Sequence, residues 1–102
     1  MINNLSFNAA KKKYFQKLIQ YVPIVARVHG AHHPEFHEVR KVFDTIVTKT
    51  KEAGSNKPEL NEEFSMLRKI TNNYAIPGDV CETFEAVYNM LEEIDKAYYA
   101  QA

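Results

Sequence analysis

The sequence predicts an all-α protein, an antiparallel four-helix bundle, and three observations carry that reading. Apolar residues recur at three- and four-residue steps through four stretches. No stretch alternates with period two over a useful length. The three glycines, and three of the four prolines, fall where helices should start or stop. Short connections between the stretches favour antiparallel neighbours.

The first helix is expected from about Asn8 to Val28, with Phe15, Leu18, Ile19, Val22, Val25 and Val28 as its stripe. Pro23 lies inside it. A proline lacks the amide donor and crowds the preceding turn, so a kink or break is expected there. Gly30 should end the helix in a left-handed cap. The second helix should begin near Pro34, with His33 at the N-cap and Glu35 and Glu38 at the positive end of the dipole. Phe36, Val39, Phe43, Ile46, Val47 and Thr50 form its buried stripe, and Ala53-Gly54-Ser55-Asn56 ends it. The third is expected from Pro58, with Leu60, Phe64, Leu67 and Ile70 inward. The fourth should start at Asp79, with Glu82 at capping-box spacing. Phe84, Val87, Tyr88, Leu91, Ile94 and Tyr98 are its stripe.

Composition narrows the function classes. The chain has 102 residues, which suits one domain over 1–102. Thirteen basic residues balance thirteen acidic ones. No basic excess points to nucleic acid, and Lys11-Lys12-Lys13 reads as a solvated helix face. No apolar run approaches the ~20 residues of a membrane span. Residues 1–6 lack the charged and apolar regions of a leader. Cys81 is the single cysteine, so neither an internal disulfide nor a cysteine-based zinc site is expected. A reducing cytoplasm fits. The pair Glu92-Glu93 with Asp95 reads as a solvated acidic face, and Tyr88, Tyr98 and Tyr99 as core and rim aromatics. Cys81 is expected in the first turn of the fourth helix, as a small semi-buried residue. No Ser/His/Asp set, phosphate loop or carboxylate pair stands out, so the chain is not expected to be an enzyme.

All four histidines fall between positions 29 and 37. His29, His33 and His37 are the candidate metal ligands. His33 and His37 stand four apart, a spacing that can share one helical face.

Around the histidines the chain resembles a known family. Ile24-Val25-Ala26-Arg27-Val28-His29-Gly30, then His33-Pro34-Glu35-Phe36, resemble the hemerythrin-like domain of the bacterial iron–sulfur cluster repair di-iron (RIC) proteins. Leu67-Arg68-Lys69-Ile70-Thr71-Asn72-Asn73-Tyr74 is similar to the same family, as are Pro77, Cys81, Phe84, Tyr88 and Leu91 after it. The order and spacing agree from about Phe7 onward. The resemblance implies a bundle holding two bridged irons by histidines and carboxylates. It also implies a role in repairing iron–sulfur clusters after nitric oxide or oxidative damage.

The ligands do not follow. The resemblance places one on His29, but the others land on Asn8, Ala53, Lys57 and Gln101. A di-iron centre needs about five to seven donors from several helices. No His-x-x-x-Glu pair exists in the chain. The expectation is a whole bundle whose di-iron site is lost, its interior plugged by apolar side chains such as Phe43 and Phe64. No cofactor is expected. Its partner would be a protein: a second copy, a full-length family member or an iron–sulfur protein. The competing expectation is an iron or zinc site at His29–His37, completed by carboxylates across a dimer.

Overall fold

Why four helices form here is clearest at their ends. The computed structural model describes residues 6–100. Residues 1–5, read above for a leader, and Gln101 lie outside them. Four helices follow in order: α1 Phe7–His29, α2 Glu35–Ala53, α3 Asn61–Ile70 and α4 Glu82–Tyr99. Among the described residues there is no strand. The Cα radius of gyration is 13.2 Å, close to the ~13 Å of a folded 100-residue domain. No helix among the described residues is long and apolar enough to cross a membrane.

α1 starts because the Ser6 hydroxyl accepts a hydrogen bond from the Ala9 amide at 3.1 Å, which satisfies one of the amides a helix start leaves open. The helix then runs through Pro23 without a break. The proline deprives the Ile19 carbonyl of its helical donor. Ile19 is 48% exposed, so solvent can take the place of the missing amide. That exposure corrects the expected stripe, in which Ile19 and Val28 were to face inward. Phe15, Leu18, Val22 and Val25 do, and Ala10 and Ala26 join them.

Gly30 is not left-handed: its φ is −59° and its ψ −28°. Space, not backbone sign, requires the glycine. A Cβ there would run into the Ala26 carbonyl oxygen and the His37 ring. The left-handed glycine is Gly54, at φ 61°, where α2 closes.

The expected inward residues of α2 are buried, except that Val47 is only half-buried. α3 begins at Asn61, three residues later than Pro58 predicts. The reason is Tyr98. Its hydroxyl accepts from the Leu60 amide at 2.9 Å and donates to the Pro58 carbonyl at 3.0 Å. This holds the approach to α3 against the end of α4 before the helix can start. Leu60, Phe64 and Leu67 are buried, while Ile70 is half-buried. All six expected stripe residues of α4 are buried.

α1 packs against both α4 and α2, and α2 against α3. Phe7, at the start of α1, meets Tyr98 at the end of α4, ring centroids 5.6 Å apart. His29, at the end of α1, meets Cys81 at the start of α4. The packing fits a helical bundle. Its centre is aromatic: Phe15 lies edge-on to Phe43 at 5.9 Å, and Phe64 tilts against Tyr98 at 5.2 Å.

The link from α3 to α4 carries three consecutive left-handed residues, Asn72, Asn73 and Tyr74. Asparagine tolerates this conformation, whereas tyrosine adopts it at a cost of about 1–2 kcal/mol. Tertiary bonds offset that cost. The Tyr74 amide donates to Thr71 Oγ1 at 2.7 Å and its hydroxyl donates to Asp95 Oδ2 at 2.8 Å. Arg68 Nη1 lies 2.8 Å from both Asp95 oxygens. Asp95 is therefore no part of a solvated acidic face. It is 5% exposed and ties α3, the link and α4 together.

Candidate functional site

The histidine-bearing turn between α1 and α2 meets the start of α4, and the site is built there. His33 is not an N-cap. Pro34 occupies that position, with no side-chain cap bond. The His33 ring instead bridges two carboxylates. Nδ1 donates to Glu35 Oε2 at 2.9 Å and Nε2 to Asp79 Oδ1 at 3.0 Å. Neutral imidazole has one N–H, so two acceptor partners call for the doubly protonated ring. The bond to Glu35, opposed by partial burial and reinforced by Asp79, raises the His33 pKa above its ordinary 6.5. The bond from His33 lowers the Asp79 carboxyl below its ordinary 3.8.

This bridge corrects the start of α4. Asp79 does not cap the helix. Its carboxylate is drawn to His33, α4 begins only at Glu82, and Cys81 takes the cap position without a side-chain cap bond. Cys81 is exposed, not semi-buried. Its Sγ shares a hydrogen bond with His29 Nε2 at 3.1 Å. The rings of His29 and His33 both pack on Phe84, with centroids 5.3 and 5.4 Å away.

The candidate ligands thus have separate neighbours. His29 faces Cys81, His33 faces Glu35 and Asp79, and His37 lies over Gly30. Among the described residues, no group of three or more histidine, cysteine or carboxylate side chains is arranged to hold a metal ion. Sequence reading missed the roles of Asp79 and Cys81 in this cluster. They stand 46 and 52 residues from their histidine partners, and only packing of α4 on α1 closes those distances.

Among the described positions where the resemblance places iron ligands, only His29 carries an imidazole or carboxylate. Asn8 is exposed at the start of α1, and Ala53 offers a methyl group. Lys57 donates to the Tyr98 carbonyl at 2.7 Å and sits 4.3 Å from the Tyr98 ring centroid. Phe43 and Phe64, expected as apolar plugs, are 1% and 0% exposed. A pair of bridged irons does not fit these residues.

No protein-family model matches the chain, and no solved structure matches it.

The His33 bridge has a defined pH signature. A raised histidine pKa contributes stability that is fully present below the unfolded value and is lost as pH rises through the folded one. A lowered aspartate pKa contributes stability present above its unfolded value and lost as pH falls through the folded one. The bridge should therefore stabilise most between the two titrations and weaken on either side. Thermal unfolding followed across pH should show that plateau, and His33→Gln should flatten its alkaline shoulder. A His33 ring titrating at or below 6.5 by NMR would contradict the bridge.

Proposed function

We propose that this chain is an antiparallel, hemerythrin-like four-helix bundle related to the iron–sulfur cluster repair proteins, without their di-iron site. It is non-catalytic and acts by binding another protein in the response to iron–sulfur, nitrosative or oxidative damage. The observation that carries this reading is the interior. Aromatic rings occupy the space between the helices, and apart from His29 the expected ligand positions carry two amides, a methyl and an ammonium. The end-to-end pairing of Phe7 with Tyr98 and of His29 with Cys81 supports the antiparallel arrangement. The blocks of sequence similar to the repair family support the relationship. An expected location in the cytoplasm accords with a single free thiol.

Reconstitution with ferrous ion tests the reading on untagged protein. The expected result is no stoichiometric iron and an unchanged unfolding midpoint in excess metal. Two irons per chain with an oxo-bridge absorption would overturn it.

A further inference from the structure

We propose that the side of the bundle formed by α1 and α4 is an interface for a second copy of this chain, with α1 of each copy laid on α4 of the other. The inference rests on the reading of this chain as a protein-binding module and names the face and the partner. α1 contains five basic residues, Lys11, Lys12, Lys13, Lys17 and Arg27, and no Asp or Glu. α4 is its reverse. Apart from Asp95, which Arg68 and Tyr74 engage, it carries Glu82, Glu85, Glu92 and Glu93 against the single cation Lys96. Among the described residues, none of these α1 cations and α4 glutamates enters an ion pair. Two helices of opposite charge thus pack side by side, with their charges open to a partner.

The charges sit on stripes that share one side of the molecule. Successive helical residues turn by about 100°. Lys13, Lys17, Ile24 and Val28 therefore form one stripe of α1, and all four are exposed. The stripe lies well round the helix from Ile19 and Pro23, which line the cleft against α2, and so on the side of α4. Glu82, Ala86, Asn89 and Glu93 form one stripe of α4, turned away from Asp95 and its bond to α3. Ile24 is 39% and Val28 60% exposed, which sets apolar surface between the charges. A two-fold axis parallel to the helices brings the unlike stripes together twice, as an isologous contact requires. Within one chain Phe7 meets Tyr98 and His29 meets Cys81, and these pairs fix which residues of the two helices stand at one height. Across the axis, Lys13 and Lys17 then face Glu93 of the second copy, Ile24 faces Ala86 and Arg27 faces Glu82. The helix pair offers a footprint about 30 Å long and 20 Å wide, roughly 600 Å2 per copy, at the lower end of specific interfaces. A polyanion such as nucleic acid fits α1 less well, because the acidic stripe beside it repels. A second copy carries both complements at the matching height.

Sedimentation equilibrium of the untagged full chain tests the proposal, with reductant present so that Cys81 cannot cross-link copies. A dimer with a Kd on the order of 10–100 μM is expected at low salt. Raising sodium chloride from about 50 mM to about 500 mM should weaken it about tenfold, since salt screens exposed charges. Two charge-swapped variants fix the geometry. Lys13→Glu with Lys17→Glu makes both stripes acidic, and Glu82→Lys with Glu93→Lys makes both basic. Each variant alone should self-associate about tenfold or more weakly than the parent. An equimolar mixture should dimerise again, because unlike charges then meet at both contacts. That rescue also shows that both variants fold. A dimer indifferent to salt and to the swaps, or a mixture that stays monomeric, would overturn the proposal. A parent chain monomeric in every condition would also overturn it, and would leave the proposed binding of a different protein standing. Iron uptake, by contrast, bears on the proposed function and not on the pairing of these faces.

Discussion

Tyr98→Ala should destabilise the fold by about 3–5 kcal/mol, the range for losing a large buried aromatic. Tyr98 touches three parts of the chain. Its ring packs on Phe7 at 5.6 Å, Phe64 at 5.2 Å and Tyr99 at 5.0 Å. Its hydroxyl satisfies the Leu60 amide and the Pro58 carbonyl. Tyr98→Phe separates these roles. It keeps the ring and strands two backbone groups at a buried point, which should cost about 1–3 kcal/mol. Urea unfolding of the three proteins measures both. A Tyr98→Phe midpoint equal to the parent's would show that the hydroxyl does not hold the entry to α3.

Asp95→Ala should lower stability by about 2–3 kcal/mol. Removing one partner of a buried pair leaves the other uncompensated. Here the Tyr74 hydroxyl and the Arg68 guanidinium would both lose their acceptor. Arg68 is over a third exposed, so solvent moderates its share. The loss should also loosen the left-handed run at 72–74, because its tether to α4 is gone. Amide exchange at Tyr74 and Ala75 reads that loosening directly. Asp95→Asn should fall between parent and alanine, since its one oxygen still accepts. A double-mutant cycle with Arg68→Ala should show clear coupling. Purely additive losses would mean that the pair contributes no joint stability.

Much of the fold was legible because it repeats. Leu18, Val22 and Val25, Phe36, Val39 and Phe43, and Phe84, Val87, Tyr88 and Leu91 lie at helical spacing, and all are buried. Helix starts were less legible. Asp79 with Glu82 has capping-box spacing, but the competing partner for Asp79 is His33, on the other side of the chain's longest connections. Pro58 suits a first helical position, but Tyr98 takes the backbone groups beside it. Gly30 looked like a left-handed cap, whereas its need for glycine comes from the His37 ring.

The candidate site followed the same division. The histidine cluster was visible as a cluster, and the absence of a His-x-x-x-Glu pair was visible beside it. Asp95 in the acidic run could not be told from its exposed neighbour Glu93 by charge alone. Glu63 could not be told from its exposed neighbour Glu62 by charge alone, although it is buried and accepts from Lys49 Nζ at 2.8 Å.

By itself the sequence determined that this chain forms four helices, which face of each is largely apolar, and that no His-x-x-x-Glu pair exists in it. Those properties are periodic or compositional, so they are local to each stretch. Only the tertiary structure decided which polar side chains meet: His33 with Asp79, His29 with Cys81, Asp95 with Arg68 and Tyr74, and Glu63 with Lys49. The physical reason is that such bonds need donor and acceptor within about 3 Å. Residues tens of positions apart reach that distance only once the apolar faces have packed.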